Sequence, residues 1–178
     1  MRAGKGEGEG EARGAAISIV SIVGRSGSGK TTLLERLIPE LRDRGVRVAT
    51  IKHDAHGFEI DRVGKDTWRH RHAGATVAIL SSGRLVATFQ DVTEDLTLET
   101  LRGRFVRDVD LILAEGYRRE DHPKIEVYRV GLGTGLLCGA ADRLLAVVAD
   151  APVETEAPCF GHEDVKAIAD LIETEVLG

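Results

Sequence analysis

GRSGSGKT, Gly24 to Thr31, is the stretch that decides how this chain is read. Gly24, Gly29, Lys30 and Thr31 satisfy GxxxxGK[ST], in which glycines let backbone N–H groups wrap phosphates resting at the positive N-terminus of a helix. Lys30 adds a charge near the β and γ phosphates. The Thr31 hydroxyl is the expected Mg²⁺ ligand, and Thr32 is placed to donate to the α-phosphate. Arg25, Ser26, Gly27 and Ser28 complete the loop. The expected ligand is a purine nucleoside triphosphate with Mg²⁺. A chance Gly-rich turn could spell the same letters, so the flanks decide.

Upstream, residues 17–23 (ISIVSIV) form a nearly continuous β-branched run, the signature of a strand buried on both faces of a parallel sheet. Downstream, Leu33, Leu34, Leu37, Ile38 and Leu41 recur at helical spacing, with Glu35, Arg36, Glu40 and Arg42 opposite and Gly45 as a stop. Pro39 lies inside that helix and is expected to kink it or loosen one turn. Residues 46–51 (VRVATI) predict a second strand, followed by a long loop rich in ionisable groups and a polar helix around residues 65–73.

Residues 76–80 and 85–89 flank SSGR as a hairpin, and TEDLTLETLRGRF carries a capped helix pattern. Residues 109–114 (VDLILA), 125–130 and 144–149 (LLAVVA) read as further strands, and Val165, Ile168, Ala169 and Ile172 mark a C-terminal amphipathic helix. Strands alternating with helices, the first feeding a phosphate loop, imply an α/β, three-layer P-loop NTPase fold. Its sheet is mainly parallel, with a β-hairpin extension adding antiparallel character.

At 178 residues the chain suits one domain. That domain is expected over residues 17–178, because residues 1–16 (MRAGKGEGEGEARGAA) are too poor in apolar side chains to offset ordering entropy and read as a disordered tail. No apolar run approaches the ~20 residues of a membrane span. A formal net charge of −5 argues against a general nucleic-acid binder. Cys138 and Cys159 form no CxxC pair, which suits a reducing, cytoplasmic compartment.

Glu115 ends the strand VDLILA, where a second acidic element would hold Mg²⁺ directly or through water. Asp110 competes for the role, but five strand residues put it about 16 Å away at the opposite sheet edge. If the second strand runs parallel to the first, Lys52, His53 and Asp54 emerge beside the loop, and Asp54 could complete the Mg²⁺ shell. Lys30, Asp54 and Glu115 are thus the candidate catalytic residues.

His53 and His56 have a metal-like spacing, although exposed loop histidines are more often polar contacts. Lys65, Arg69, His70, Arg71 and His72 beside Trp68 suit a phosphate-bearing ligand or, equally, a solvated helix face. The NKxD element that reads guanine in many GTPases is absent, and Asp150 is the only carboxylate in a comparable place; an ordinary loop aspartate is an equal reading.

The loop, KHDAHGFEIDRVGKDTWRHRHAGA, AEGYRREDHPKIEVYR and LLAVVAD together resemble the molybdopterin-guanine dinucleotide biosynthesis protein B family, from about Ile17 to the C-terminus. The resemblance implies a GTP-binding protein with weak GTPase activity, commonly a homodimer. It would assist a partner guanylyltransferase that attaches GMP to molybdopterin, with molybdopterin a further candidate ligand. It places Gly24 to Thr32 in the nucleotide loop, Glu115 and Gly116 in an EG element, and Lys52, His53 and Asp54 in the post-strand loop. At Tyr117-Arg118 the family often has an aromatic followed by Lys, which keeps the ring and the charge. Two other classes use the same loop: a small-molecule kinase with Asp54 as base and the Arg69 to His72 cluster holding an anionic acceptor, and a metal-delivery GTPase using His53, His56 and a cysteine.

Overall fold

Buried apolar runs dictate the centre of the molecule, a computed structural model that describes residues 17–54, 57–58, 60–133 and 135–178. The expected tail, residues 1–16, and His56 lie outside the described residues. β1 (Ser18–Val23) leads through the glycine-rich loop into α1 (Lys30–Asp43) and β2 (Val48–Lys52). α2 (Asp66–His72), the hairpin β3 (Val77–Ser81) and β4 (Val86–Gln90), and α3 (Leu98–Phe105) follow. The chain closes with β5 (Leu111–Glu115), β6 (Lys124–Tyr128), β7 (Leu144–Ala149), β8 (Cys159–Phe160) and α4 (Val165–Ile172).

Six strands form one sheet in the order β2-β5-β1-β6-β7-β8, and every pair in it is parallel. Alternation explains why β5 reads as a continuous apolar run. Leu111 and Leu113 join Leu33, Leu37 and Leu41 of α1 and Ile168 and Ile172 of α4 on one face, while Ile112 and Ala114 meet Leu98 of α3 on the other. These are the three layers the alternation of elements implies.

The expected hairpin extension is present as a separate antiparallel sheet: among the described residues β3 and β4 pair with each other, and the hairpin packs on α2. Pro39 does not interrupt α1, which runs unbroken from Lys30 to Asp43. Pro39 is exposed, so the Glu35 carbonyl that lacks its N–H partner lies on the solvent side. β8, two residues that pair with Val147 and Val148, is too short for any periodicity to announce it.

The amino edge of the sheet is tied by Arg47 and Asp110. Arg47 donates from its backbone N at 2.8 Å, Nε at 3.0 Å and Nη2 at 2.6 Å to the Asp110 carboxylate. The guanidinium, helped by the backbone N–H, holds that carboxyl down to about 2. A carboxyl held below its unfolded value near ~3.9 adds stability above that pH, and the contribution is lost as pH falls from about 4 to about 2. In Arg47→Ala the Asp110 carboxyl is expected to titrate near ~3.9 by carboxyl ¹³C NMR. A titration unchanged from the parent protein would remove Arg47 as the cause.

Candidate nucleotide site

Register sets the site. Glu115 at the end of β5 stands opposite Ile22 of β1 and Lys52 of β2, so the carboxyl ends of three parallel strands meet where the glycine-rich loop departs. Gly24, Gly27 and Gly29 have φ of 144°, 77° and 102°, and Gly29 is the N-cap of α1 without any side-chain cap. The first N–H groups of α1 therefore point out of the helix with the positive end of its dipole behind them. Ser28 is buried, and its Oγ has no hydrogen-bond partner among the described residues. Such a cradle, with an unpaired hydroxyl and uncapped amides, suits an anion.

Lys30 folds back over the loop, its Nζ donating to the carbonyls of Gly24 and Arg25 at 3.0 Å each. Thr31 Oγ1 lies 3.3 Å from Glu115 Oε2, and Lys52 Nζ lies 3.7 Å from Glu115 Oε1. A hydroxyl and a carboxylate converging at a helix N-terminus are hard oxygen ligands of the kind Mg²⁺ takes, and they fit that ion. Asp110 is at the other end of the strand, held by Arg47. Thr32 and Ser26 are exposed at the loop, and the Arg25 guanidinium packs beneath Gly133, where a Cβ would come within 2.6 Å of its Nε.

The post-β2 residues separate. The His53 backbone N donates to the Glu115 carbonyl at 3.0 Å, and its Nε2 lies 3.4 Å from Asp95. Its ring sits 5.3 Å from that of Tyr117. Gly116, at φ 114°, permits that approach, since a Cβ there would meet His53 Cβ at 3.3 Å. His53 and Tyr117 line a cavity of about 590 Å³ with Thr97, Arg118 and Arg119. Asp54 is exposed and lines a different cavity, of about 670 Å³, with Phe58, Asp61 and Arg71.

Arg71 of the basic run is turned inward, paired with Asp91 and 3.7 Å from Asp61, and His72 stacks on Trp68. Arg69 and His70 remain exposed. Asp150 accepts the Val130 N–H at 2.9 Å and lies 3.8 Å from Arg129, so it serves at least to fasten the turn after β6.

Sequence reading passed over three residues around this site. Glu126, buried on β6, accepts the N–H groups of Leu137 at 2.7 Å and Cys138 at 2.9 Å, fastening the β6–β7 connection whose Leu132 lies beside Gly27. Next to it, buried Lys124 donates to the carbonyls of Glu120, His122 and Asp142 at 2.7, 3.0 and 2.9 Å. The signal was charge inside an otherwise apolar strand, PKIEV, which demands buried partners. His162, in the β8–α4 loop, packs against Gly29; no sequence signal pointed to it.

Burial, with the Glu126 carboxylate second, pushes the Cys138 thiol up to about 11, whereas Cys159 is exposed. Thiol titration of the native protein at pH 8 is expected to modify Cys159 rapidly and Cys138 only on unfolding. Glu126→Leu leaves the two N–H groups without an acceptor and should release Cys138 to rapid reaction. Continued protection of Cys138 in that variant would show that Glu126 does not hold the connection.

The family model for molybdopterin guanine dinucleotide synthesis protein B matches residues 19–150, a span that takes in the glycine-rich loop, Lys52 to Asp54, Glu115 and Asp150. The molybdopterin-guanine dinucleotide biosynthesis adapter protein of Haemophilus influenzae is 39% identical over 158 residues, covering 88% of this chain and 88% of that protein. Its counterpart in Escherichia coli is 36% identical over 160 residues, 88% of this chain and 91% of that protein. A crystal structure of a molybdopterin-guanine biosynthesis protein B matches with a TM-score of 0.67 and 31% identity, over 88% of this chain and 98% of that one. Loop, register and sequence agree, and the chain belongs to the molybdopterin guanine dinucleotide synthesis protein B family.

Proposed function

We propose that this protein is an adapter of molybdopterin guanine dinucleotide synthesis that binds GTP and Mg²⁺ at Gly24 to Thr32. In this reading it assists a partner guanylyltransferase as GMP is attached to molybdopterin. The observation that carries the reading is the meeting of Thr31 Oγ1 and Glu115 Oε2, 3.3 Å apart, at the uncapped start of α1. Bound Mg²⁺ supplies charge neutralisation at the β and γ phosphates. Lys30 leaves the Gly24 and Arg25 carbonyls for those phosphates, and Lys52 holds the Glu115 carboxylate in place. Gly116 and His53 fix the neighbouring backbone, and Asp54, which lines the neighbouring cavity, would have to turn toward the metal to complete its shell. Asp150 spends only part of its carboxylate on Val130 and Arg129, leaving lone pairs to accept from guanine.

Hydrolysis in this reading is slow. The chain's one glutamine, Gln90 on β4 of the hairpin, lines the cavity that holds Asp54, and that cavity includes no residue of the glycine-rich loop where attacking water would need orienting. The kinase reading loses Arg71 to Asp61 and Asp91. The metal-delivery reading finds no group of three His, Cys, Asp or Glu side chains suited to a metal among the described residues.

A homodimer fits the hairpin. Ile79, Leu80 and Val86 are 63%, 57% and 62% exposed on a two-stranded sheet, and such a sheet alone is marginal in water. In this reading a second copy covers it, in the cytoplasm. No helix among the described residues is long and apolar enough to cross a membrane.

The test is calorimetric titration with GTP and ATP, with and without Mg²⁺, alongside sedimentation of the parent protein and Ile79→Asp. Mg²⁺-dependent GTP binding and a dimer that dissociates in the variant are expected. Preference for ATP would sink the nucleotide assignment, and a monomeric parent protein would sink the dimer.

A further inference from the structure

We propose that His162 contacts the nucleoside end of the bound nucleotide, donating from its imidazole to the ribose or the α-phosphate. This inference rests on the GTP reading of the site and adds a residue to it.

Sidedness comes first. Thr31 and Glu115 converge on the β5 side of β1, and Lys52 from β2 joins them there. A hydroxyl–carboxylate pair that holds Mg²⁺ marks the end of the triphosphate carrying the β and γ groups. The remaining strands, β6, β7 and β8, lie on the other side of β1. A triphosphate laid across the N-terminus of α1 with its metal at β5 therefore directs its nucleoside toward the carboxyl ends of β6 to β8.

Register then places His162 there. Val148 of β7 pairs with Phe160 of β8, so Asp150 and His162, each two residues further on, leave adjacent parallel strands at the same level. The histidine ring reaches the loop itself: a Cβ on Gly29 would lie 3.3 Å from His162 Cε1 and 3.8 Å from Nδ1. Gly29 is the N-cap of α1, so the imidazole stands beside the amides that face the anion.

The backbone that carries the ring is held before any ligand arrives. Arg36 of α1 donates to the His162 carbonyl at 3.2 Å and pairs with Glu163 at 2.5 Å, while the Gly161 N–H is bound by Asp164 at 2.7 Å. The β8–α4 loop is thus fastened to the same helix whose N-terminus receives the phosphates. An imidazole has a donor in either tautomer, which suits a phosphate or ribose oxygen.

The test compares GTP, GDP and inorganic tripolyphosphate, each with Mg²⁺, by calorimetric titration of the parent protein and His162→Ala. GTP and GDP affinities are expected to fall together by about 10-fold, the loss of one hydrogen bond. Tripolyphosphate, which has no nucleoside end, should bind unchanged, and His162→Asn, which keeps a donor, should recover part of the loss. An equal loss for tripolyphosphate would mean that His162 only packs the loop, and unchanged GTP affinity would mean that it touches nothing; either result overturns the proposal. A parent protein that binds tripolyphosphate but not GTP overturns the GTP reading itself, and this inference with it.

Discussion

Lys30→Ala is expected to lower GTP affinity by about 100-fold or more, which corresponds to about 2.7 kcal/mol and is the size of a lost charge-assisted hydrogen bond. Its ammonium lies inside the loop, on the Gly24 and Arg25 carbonyls at 3.0 Å. Those carbonyls belong to a partly solvated turn, so water can replace the lysine there, and the thermal midpoint should move by only a few degrees, in keeping with about 1 kcal/mol in a chain of this size. Calorimetric titration with GTP and a melting curve on the same preparation separate the two effects. GTP affinity equal to that of the parent protein would remove the loop as the nucleotide site.

The second large effect is on folding. Gly24→Ala puts a Cβ 2.3 Å from the Val127 carbonyl oxygen and 2.8 Å from Ser28 Oγ, at a φ of +144°. Val127 sits in β6, whose neighbours Ile125 and Glu126 pair with Ile22 and Val23. Neither strand can yield without breaking the centre of the sheet. We expect a loss of more than ~4 kcal/mol, a drop of roughly 10 °C in Tm, or failure to accumulate folded protein. Gly27→Ala is the control: it shares a left-handed φ, +77°, but its Cβ meets only Leu132 Cδ1 at 3.9 Å. It should cost about 1–2 kcal/mol, the strain of the backbone alone. Equal losses in urea unfolding of the two variants would show that the clash with β6 is not what restricts position 24.

The sequence carried the local chemistry well where spacing and periodicity are themselves the mechanism. GxxxxGK[ST] after a buried strand and before an amphipathic helix marks the loop, and about 3.3 Å of rise per strand residue separates Glu115 from Asp110. It read the hairpin extension itself but not that it stands as a sheet of its own, because alternation is a property of two strands and says nothing about which edge they join. Pro39 was legible as a breaker, but its cost depended on which side of α1 faces water.

By itself the sequence determined the parallel α/β architecture, the glycine-rich turn and the identity of the acidic residue beside it, since each follows from short-range spacing along one chain. Tertiary structure alone decided what lies across those residues. The register of β2 and β1 against β5 brings Lys52 to Glu115, and the buried Glu126 closes the β6–β7 connection. Pairing of β7 with a two-residue β8 carries His162, more than 130 residues from Gly29 in the chain, onto the loop. Such contacts arise from hydrogen-bonded pairing between distant segments, and no periodicity within either segment records which partner it will meet.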